Sequence, residues 1–112
     1  MPTSAASGTQ TAVIGTEHTL GSAITTPGDY VLKVDKAAMQ SGDALELRIY
    51  DTVLSGGVSR VVYKYTAPPG AQSADDMIAV SVPIPIDVGV TFTLKQTAGT
   101  GRSYPWKVLL LP

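Results

Sequence analysis

The chain contains no cysteine, which excludes disulfide staples, zinc–thiolate sites and thiol nucleophiles. Histidine occurs once, as His18, and one imidazole cannot supply the usual metal set or a metalloprotease motif. Charge is scarce as well: Asp, Glu, Lys and Arg make up 15% of the residues, against about 25% in an ordinary soluble domain. The eight basic and nine acidic residues are spread along the chain and leave a net charge of −1. With no basic stripe, direct binding to nucleic acid is not expected. No apolar run reaches the roughly 18 residues that a membrane-spanning helix requires. The first residues, MPTSAASGTQTAV, have neither the basic start nor the apolar core of a secretory leader, so a soluble protein made without one is expected.

Short alternating segments are present in number. In Asp29–Asp35, Tyr30, Leu32 and Val34 point one way and Val31, Lys33 and Asp35 the other. In Leu45–Tyr50, Leu47 and Ile49 join Leu45 on the inward side while Glu46, Arg48 and Tyr50 face out. The link Asp35–Ser41 between them has room for one helical turn, closed by Gly42 in a left-handed conformation. Thr11–Ile14 and Glu17–Ile24 read as earlier strands, and Pro27-Gly28 as the centre of a type II turn. Ser55-Gly56-Gly57 connects to a strand over Val58–Thr66. Met77–Ile86 reads as one strand with Ile78, Val80, Val82, Ile84 and Ile86 on a single apolar face. Pro83 and Pro85, which lack amide hydrogens, mark its second half as a sheet edge or a contact with another chain. Val90–Gln96 and Ser103–Leu111 complete the set, with Phe92 and Trp106 expected in the core.

Strands with turn signals every 8–12 residues are the pattern of a sandwich or barrel. The expected fold is all-β: an antiparallel β-sandwich or jelly roll of seven to eight short strands, residues 11–112, preceded by a flexible N-terminal arm, residues 1–10. The small, polar arm suits either a disordered tail or a segment that orders along a neighbouring subunit. At 112 residues the chain is one domain with enough length to bury a core unaided.

Candidate chemistry is thin. There is no GxSxG elbow to go with His18. Asp75 and Asp76, with Asp29, Asp35, Asp43 and Asp87, mark loops where carboxylates could take calcium, but no spaced D-x-D-x-D-G loop occurs, and Asp is also the ordinary turn residue. The G-x-G of Gly99 and Gly101 lies between two strands, whereas a phosphate loop opens a helix. Tyr50, on an outward strand face, is the best single residue for stacking on a sugar; Tyr63, Tyr65 and Trp106 are expected to pack inside. No catalytic residue, cofactor or metal is therefore expected, and the chain reads as a non-enzyme. The low charge and the apolar 44% of the residues instead suggest surface buried against partners. Thr3, Ser4, Pro83, Pro85, Leu109 and Leu111 are the expected contact residues, the leucines because Val108–Leu111 is apolar on both faces. A central strand position would also explain that run.

The segments TLGSAITTPGDYVLKVD, GDALELRIYDTVLSGG and FTLKQTAGTGRSYPWKVLLL, within residues 11–112, resemble small all-β structural proteins of tailed phages, similar to products encoded near the major capsid protein. The resemblance implies a virion component, foremost a capsid decoration or cement subunit. Such a subunit would sit as a homotrimer on the major capsid protein at the capsid surface after synthesis in the host cytoplasm. A tail or neck subunit is the alternative within that class, and a carbohydrate-binding β-sandwich module the alternative outside it.

Overall fold

The computed structural model describes residues 2–112 and contains nine strands: β1 (Thr3–Thr11), β2 (Glu17–Thr19), β3 (Gly28–Asp35), β4 (Ala44–Asp51), β5 (Arg60–Thr66), β6 (Ile78–Val80), β7 (Ile84–Ile86), β8 (Val90–Ala98) and β9 (Ser103–Leu111). They form two antiparallel sheets. One has the order β1-β9-β3-β6, with β7 also on β3; the other has the order β2-β8-β4-β5. Taken as one interrupted strand, β6 and β7 pair with β3, inside the pairs β2–β8 and β1–β9 and outside the hairpin β4–β5. First therefore meets last and second meets next-to-last, as in a hairpin rolled into two layers, the connectivity of a jelly roll. Tyr30, Leu32 and Val34 on β3 and Tyr104, Trp106 and Val108 on β9 face Leu45, Leu47 and Ile49 on β4 and Phe92 and Leu94 on β8 across a buried core. Each such large side chain contributes about 1.5–3 kcal/mol by leaving water.

Four local expectations change. Residues 1–10 were expected to be a flexible arm outside the domain; Met1 lies outside the described residues, but from Thr3 onward the segment is β1, laddered to β9 of the same chain. Its small residues have a packing reason, because a Cβ on Gly8 would come within 3.3 Å of the Trp106 indole. The strand expected over Glu17–Ile24 stops at Thr19, and Gly21, with φ +71°, passes over the same indole. The expected helical turn after β3 is two successive turns, closed by Met39 N–H to Lys36 O at 3.0 Å and Asp43 N–H to Gln40 O at 3.0 Å; Gly42 does adopt a positive φ, +90°. Pro27-Gly28 is no type II turn: Gly28 already belongs to β3 opposite Ile86, and the Tyr30 hydroxyl donates to Thr26 O at 2.8 Å.

The consequential change lies in 77–86. The register on β3 shifts by one residue between Tyr30↔Ile84 and Lys33↔Val80, so Val82 and Pro83 both lie outward and the alternation changes phase. Ala79, Ser81, Ile84 and Ile86 are buried, while Ile78, Val80 and Val82 are 56%, 53% and 53% exposed. Ser81 makes the slip tolerable. Its N–H donates to Leu32 O at 2.9 Å, its hydroxyl oxygen accepts the Leu32 N–H at 2.9 Å, and its own O–H donates to Val82 O. Without that oxygen, a bulge would leave the Leu32 N–H buried and unpaired.

One end of the sandwich is tied by buried polar groups. The Asp43 carboxylate accepts from Gln40 N–H at 2.8 Å, Thr100 N–H at 3.0 Å and Arg102 Nε–H at 2.9 Å. Burial alone would raise its pKa, but the Gln40 amide, the Arg102 guanidinium and the Thr100 amide outweigh it and hold the group below the ordinary 3.8. Gln96 uses its full capacity, donating to Ala98 O and Thr100 O and accepting from Arg102 N–H and the Tyr104 hydroxyl. Burial, reinforced by the nearby Asp43 charge, pushes Tyr104 up to about 12.

Two measurements check these points. Replacing Ile78 and Val80 together by Thr is expected to change unfolding free energy by no more than about 0.5 kcal/mol per site, whereas Ser81→Ala costs about 1–3 kcal/mol and Leu32→Ala about 2–5 kcal/mol. A large loss in the double Thr variant would mean that those side chains face the core. Because the folded pKa of Asp43 is depressed, its contribution is fully present above 3.8 and fades as pH falls through the lower folded value. Asp43→Asn should thus cost about 2–3 kcal/mol at neutral pH and flatten the fall of thermal midpoint as pH drops below 3.8.

Candidate interaction surface

The outer faces of the two sheets differ in kind. On the β8 sheet the outward residues of β2, β4 and β8 are largely polar and joined to one another, while Val61 and Val62 on β5 are 47% and 48% exposed. The Glu17 carboxylate accepts from the Tyr50 hydroxyl at 2.8 Å and from the Thr93 hydroxyl at 2.6 Å. Burial opposes these bonds, yet with the Arg48 and Lys95 charges they hold the Glu17 pKa below its ordinary value. Glu46 is 2.7 Å from Arg48 and 3.8 Å from Lys64. Tyr50, the sequence-based candidate for sugar stacking, is thus a half-buried member of this network, its hydroxyl committed to Glu17. Tyr63 and Tyr65 pack partly against the core and Trp106 lies within it.

The outside of the β9 sheet is different. Register places Leu109 opposite Val31, Leu111 opposite Asp29, Lys107 opposite Lys33 and Ser4 opposite Leu109. Across β3, Ile78 faces Asp35, Val80 faces Lys33 and Pro85 faces Asp29. Leu109, Leu111, Ile78, Val80 and Pro85 therefore share one outward surface with the buried Val31. A groove of about 470 Å³ crosses it, lined by Lys33, Asp35, Ile78, Pro105, Lys107 and Leu109. Lys33 and Lys107 are exposed like charges directly opposite each other, an arrangement that is mildly unfavourable on its own. Neither is in an ion pair among the described residues.

Of the six residues expected to make contacts, Ser4, Pro85, Leu109 and Leu111 come together on this face. Pro83 lies beside it in the gap between β6 and β7, and Thr3 at the start of β1 is paired with Leu110. β9 is a central strand, which accounts for the apolar run at its end. The segment carrying Pro83 and Pro85 is a sheet edge. Sequence reasoning put Ile78, Val80 and Val82 on one apolar face with Ile84 and Ile86; the alternation of residue types runs unbroken through Val82-Pro83, and only the register shift on β3 divides that face. A second apolar feature, also missed, is the β4–β5 loop, in which Val53, Leu54 and Val58 are 80%, 74% and 67% exposed.

The remaining candidates have structural occupations. His18 Nε2 accepts the Val13 N–H at 3.0 Å. Asp76 lies 3.3 Å from the ammonium of the buried Lys36, which also donates to the Tyr65 hydroxyl at 2.7 Å. The Thr100 N–H inside Gly-Thr-Gly, which a phosphate loop would aim at a ligand, points at Asp43. A Cβ on Gly99 would collide with that carboxylate, and one on Gly101 with Ala12 O. Among the described residues, no three His, Asp or Glu side chains gather as metal ligands, and no helix is long and apolar enough to cross a membrane.

No family model matches this chain, and no curated protein does. Among solved structures, it is similar to the crystal structure of the infectious bursal disease virus VP2 subviral particle, with a TM-score of 0.56 and 15% sequence identity. The match covers 98% of this chain and 32% of that one, so the chain spans about a third of that protein's length. At this identity the likeness is one of fold: the two-sheet sandwich found here has a counterpart in that subviral-particle structure.

Proposed function

We propose that this chain is a non-enzymatic structural protein of a virus particle, working through contacts with copies of itself and with a shell. The observation that carries the reading is the outward face of the β9 sheet, which Ile78, Val80, Leu109, Leu111 and Pro85 share and where Ile78 and Leu109 line an open groove, on a chain otherwise poor in charge. A lone small domain commonly scatters its exposed apolar residues; a contiguous patch marks a binding surface. The sandwich connectivity and the likeness to the VP2 subviral particle support a capsid-type role. Within that role, a decoration or cement subunit of a tailed-phage head is the form we favour, a homotrimer seated on the major capsid protein at the capsid surface. A standard interface of about 1,600 Å² is enough for specific association, and repetition over a closed lattice multiplies its effect. The carbohydrate-binding alternative has less support, because the best stacking residue, Tyr50, is tied to Glu17.

Analytical ultracentrifugation of the purified protein at micromolar concentration, with gold labelling of intact particles, tests this. The expected result is a stable oligomer and gold over the head. Gold over the tail would move the protein to the tail or neck, and a monomer absent from particles would end the structural reading.

A further inference from the structure

We propose that the outer groove of the β9 sheet receives the β4–β5 loop of a second copy, so that copies join head to tail. The inference rests on the structural reading above and names the contact through which it would operate. The loop, residues 52–59, is built to protrude. A turn closed by Gly57 N–H to Leu54 O at 2.9 Å, with Gly56 at φ +82°, presents Val53, Leu54 and Val58 to solvent. Three large aliphatic groups so exposed on a single loop form an apolar projection that gains free energy when a partner surface covers it. The groove supplies Ile78, Leu109 and Pro105 as walls.

Charge matches as well. At the base of the loop, Asp51 and Arg60 are cross-strand partners, and they line its shallow cleft with Val53, Leu54 and Val58. In the groove, Lys33 and Lys107 stand together with Asp35 nearby. Among the described residues, none of these five is in an ion pair. Docking brings the Asp51 carboxylate to the lysine pair and the Arg60 guanidinium to Asp35, relieving the Lys33–Lys107 juxtaposition that the free chain retains. The loop continues the β8 sheet at one end of the sandwich. The groove lies outside the other sheet, toward the opposite end, where β3 finishes at Asp35 and β9 begins. A contact between such separate surfaces is heterologous. It builds rings when the rotation closes and extended arrays when it does not.

A complementation experiment tests this, because head-to-tail contacts have a property that self-matched ones lack. Leu54→Asp spoils the loop and Ile78→Asp spoils the groove; both side chains are more than half exposed, and thermal melts confirm folding. Each variant alone is expected to sediment as a monomer where the unaltered protein associates, with affinity at least about tenfold weaker. An equimolar mixture should recover dimers, since one intact loop then meets one intact groove. Association undiminished in either variant, or a mixture that stays monomeric, overturns this contact and leaves the structural reading standing. An unaltered protein that never associates also overturns this contact, and overturns the structural reading with it only when the protein is absent from particles as well.

Discussion

The pairing of β3 with its broken neighbour governs what this molecule shows to the outside. A sandwich gives each strand residue one of two fates, core or surface, and a slip of one residue exchanges them. Between β6 and β7 that slip is written into the chain. Val82 and Pro83 both take the outer side, and Ser81 turns its hydroxyl to Leu32 N–H so that the interrupted ladder loses no buried hydrogen bond. Had the alternation run unbroken from Ile78 to Ile86, Ile78 and Val80 would join the core and the groove beside Lys33 would lose a wall. The shape of the outer face is thus a consequence of one serine and one bulge.

The same feature separates what could be read in the sequence from what could not. Alternation put Tyr30, Leu32 and Val34 on one common face and Leu45, Leu47, Ile49, Phe92 and Trp106 inside, and all are in the core, because those strands run without interruption and period two is then sufficient. It failed in 77–86, where a local hydrogen bond, invisible to hydropathy, reset the phase. It also misread β1. Thr, Ser, Ala and Gly look like a free arm, but over Trp106 small residues are what the space admits, and the backbone ladder to β9 needs no bulky side chains. Proline at 83 and 85 correctly pointed to a sheet edge, since a missing amide hydrogen acts on the backbone whatever the side chains do. The paired lysines of the groove were legible as residues but not as neighbours, because Lys33 and Lys107 meet only through the register of β3 on β9.

The two outer faces reveal a division of labour. On the β8 sheet, Glu17 is bonded to Tyr50 and Thr93 and Glu46 lies against Arg48 and Lys64, although Arg48 Nε finds no hydrogen-bond partner among the described residues. On the β9 sheet, apolar groups surround Lys33, Lys107 and Asp35, which form no ion pair among the described residues. Exposed ion pairs contribute little to stability, typically about 0–1 kcal/mol, so the contrast bears less on folding than on which face stays wet.

Edges point the same way. Of the strands at sheet margins, β2 is three residues long, β6 and β7 are broken and carry proline, and β1 has a register shift between Ser4 and Ala6. β5 has its own bulge near Val61 and carries Lys64. Each is a recognised way of preventing uncontrolled strand-to-strand addition. With the margins blunted, the apolar groups left to solvent lie on the outer face of the β9 sheet, on β5 and on the β4–β5 loop, where contacts would be made by side chains and not by strand pairing.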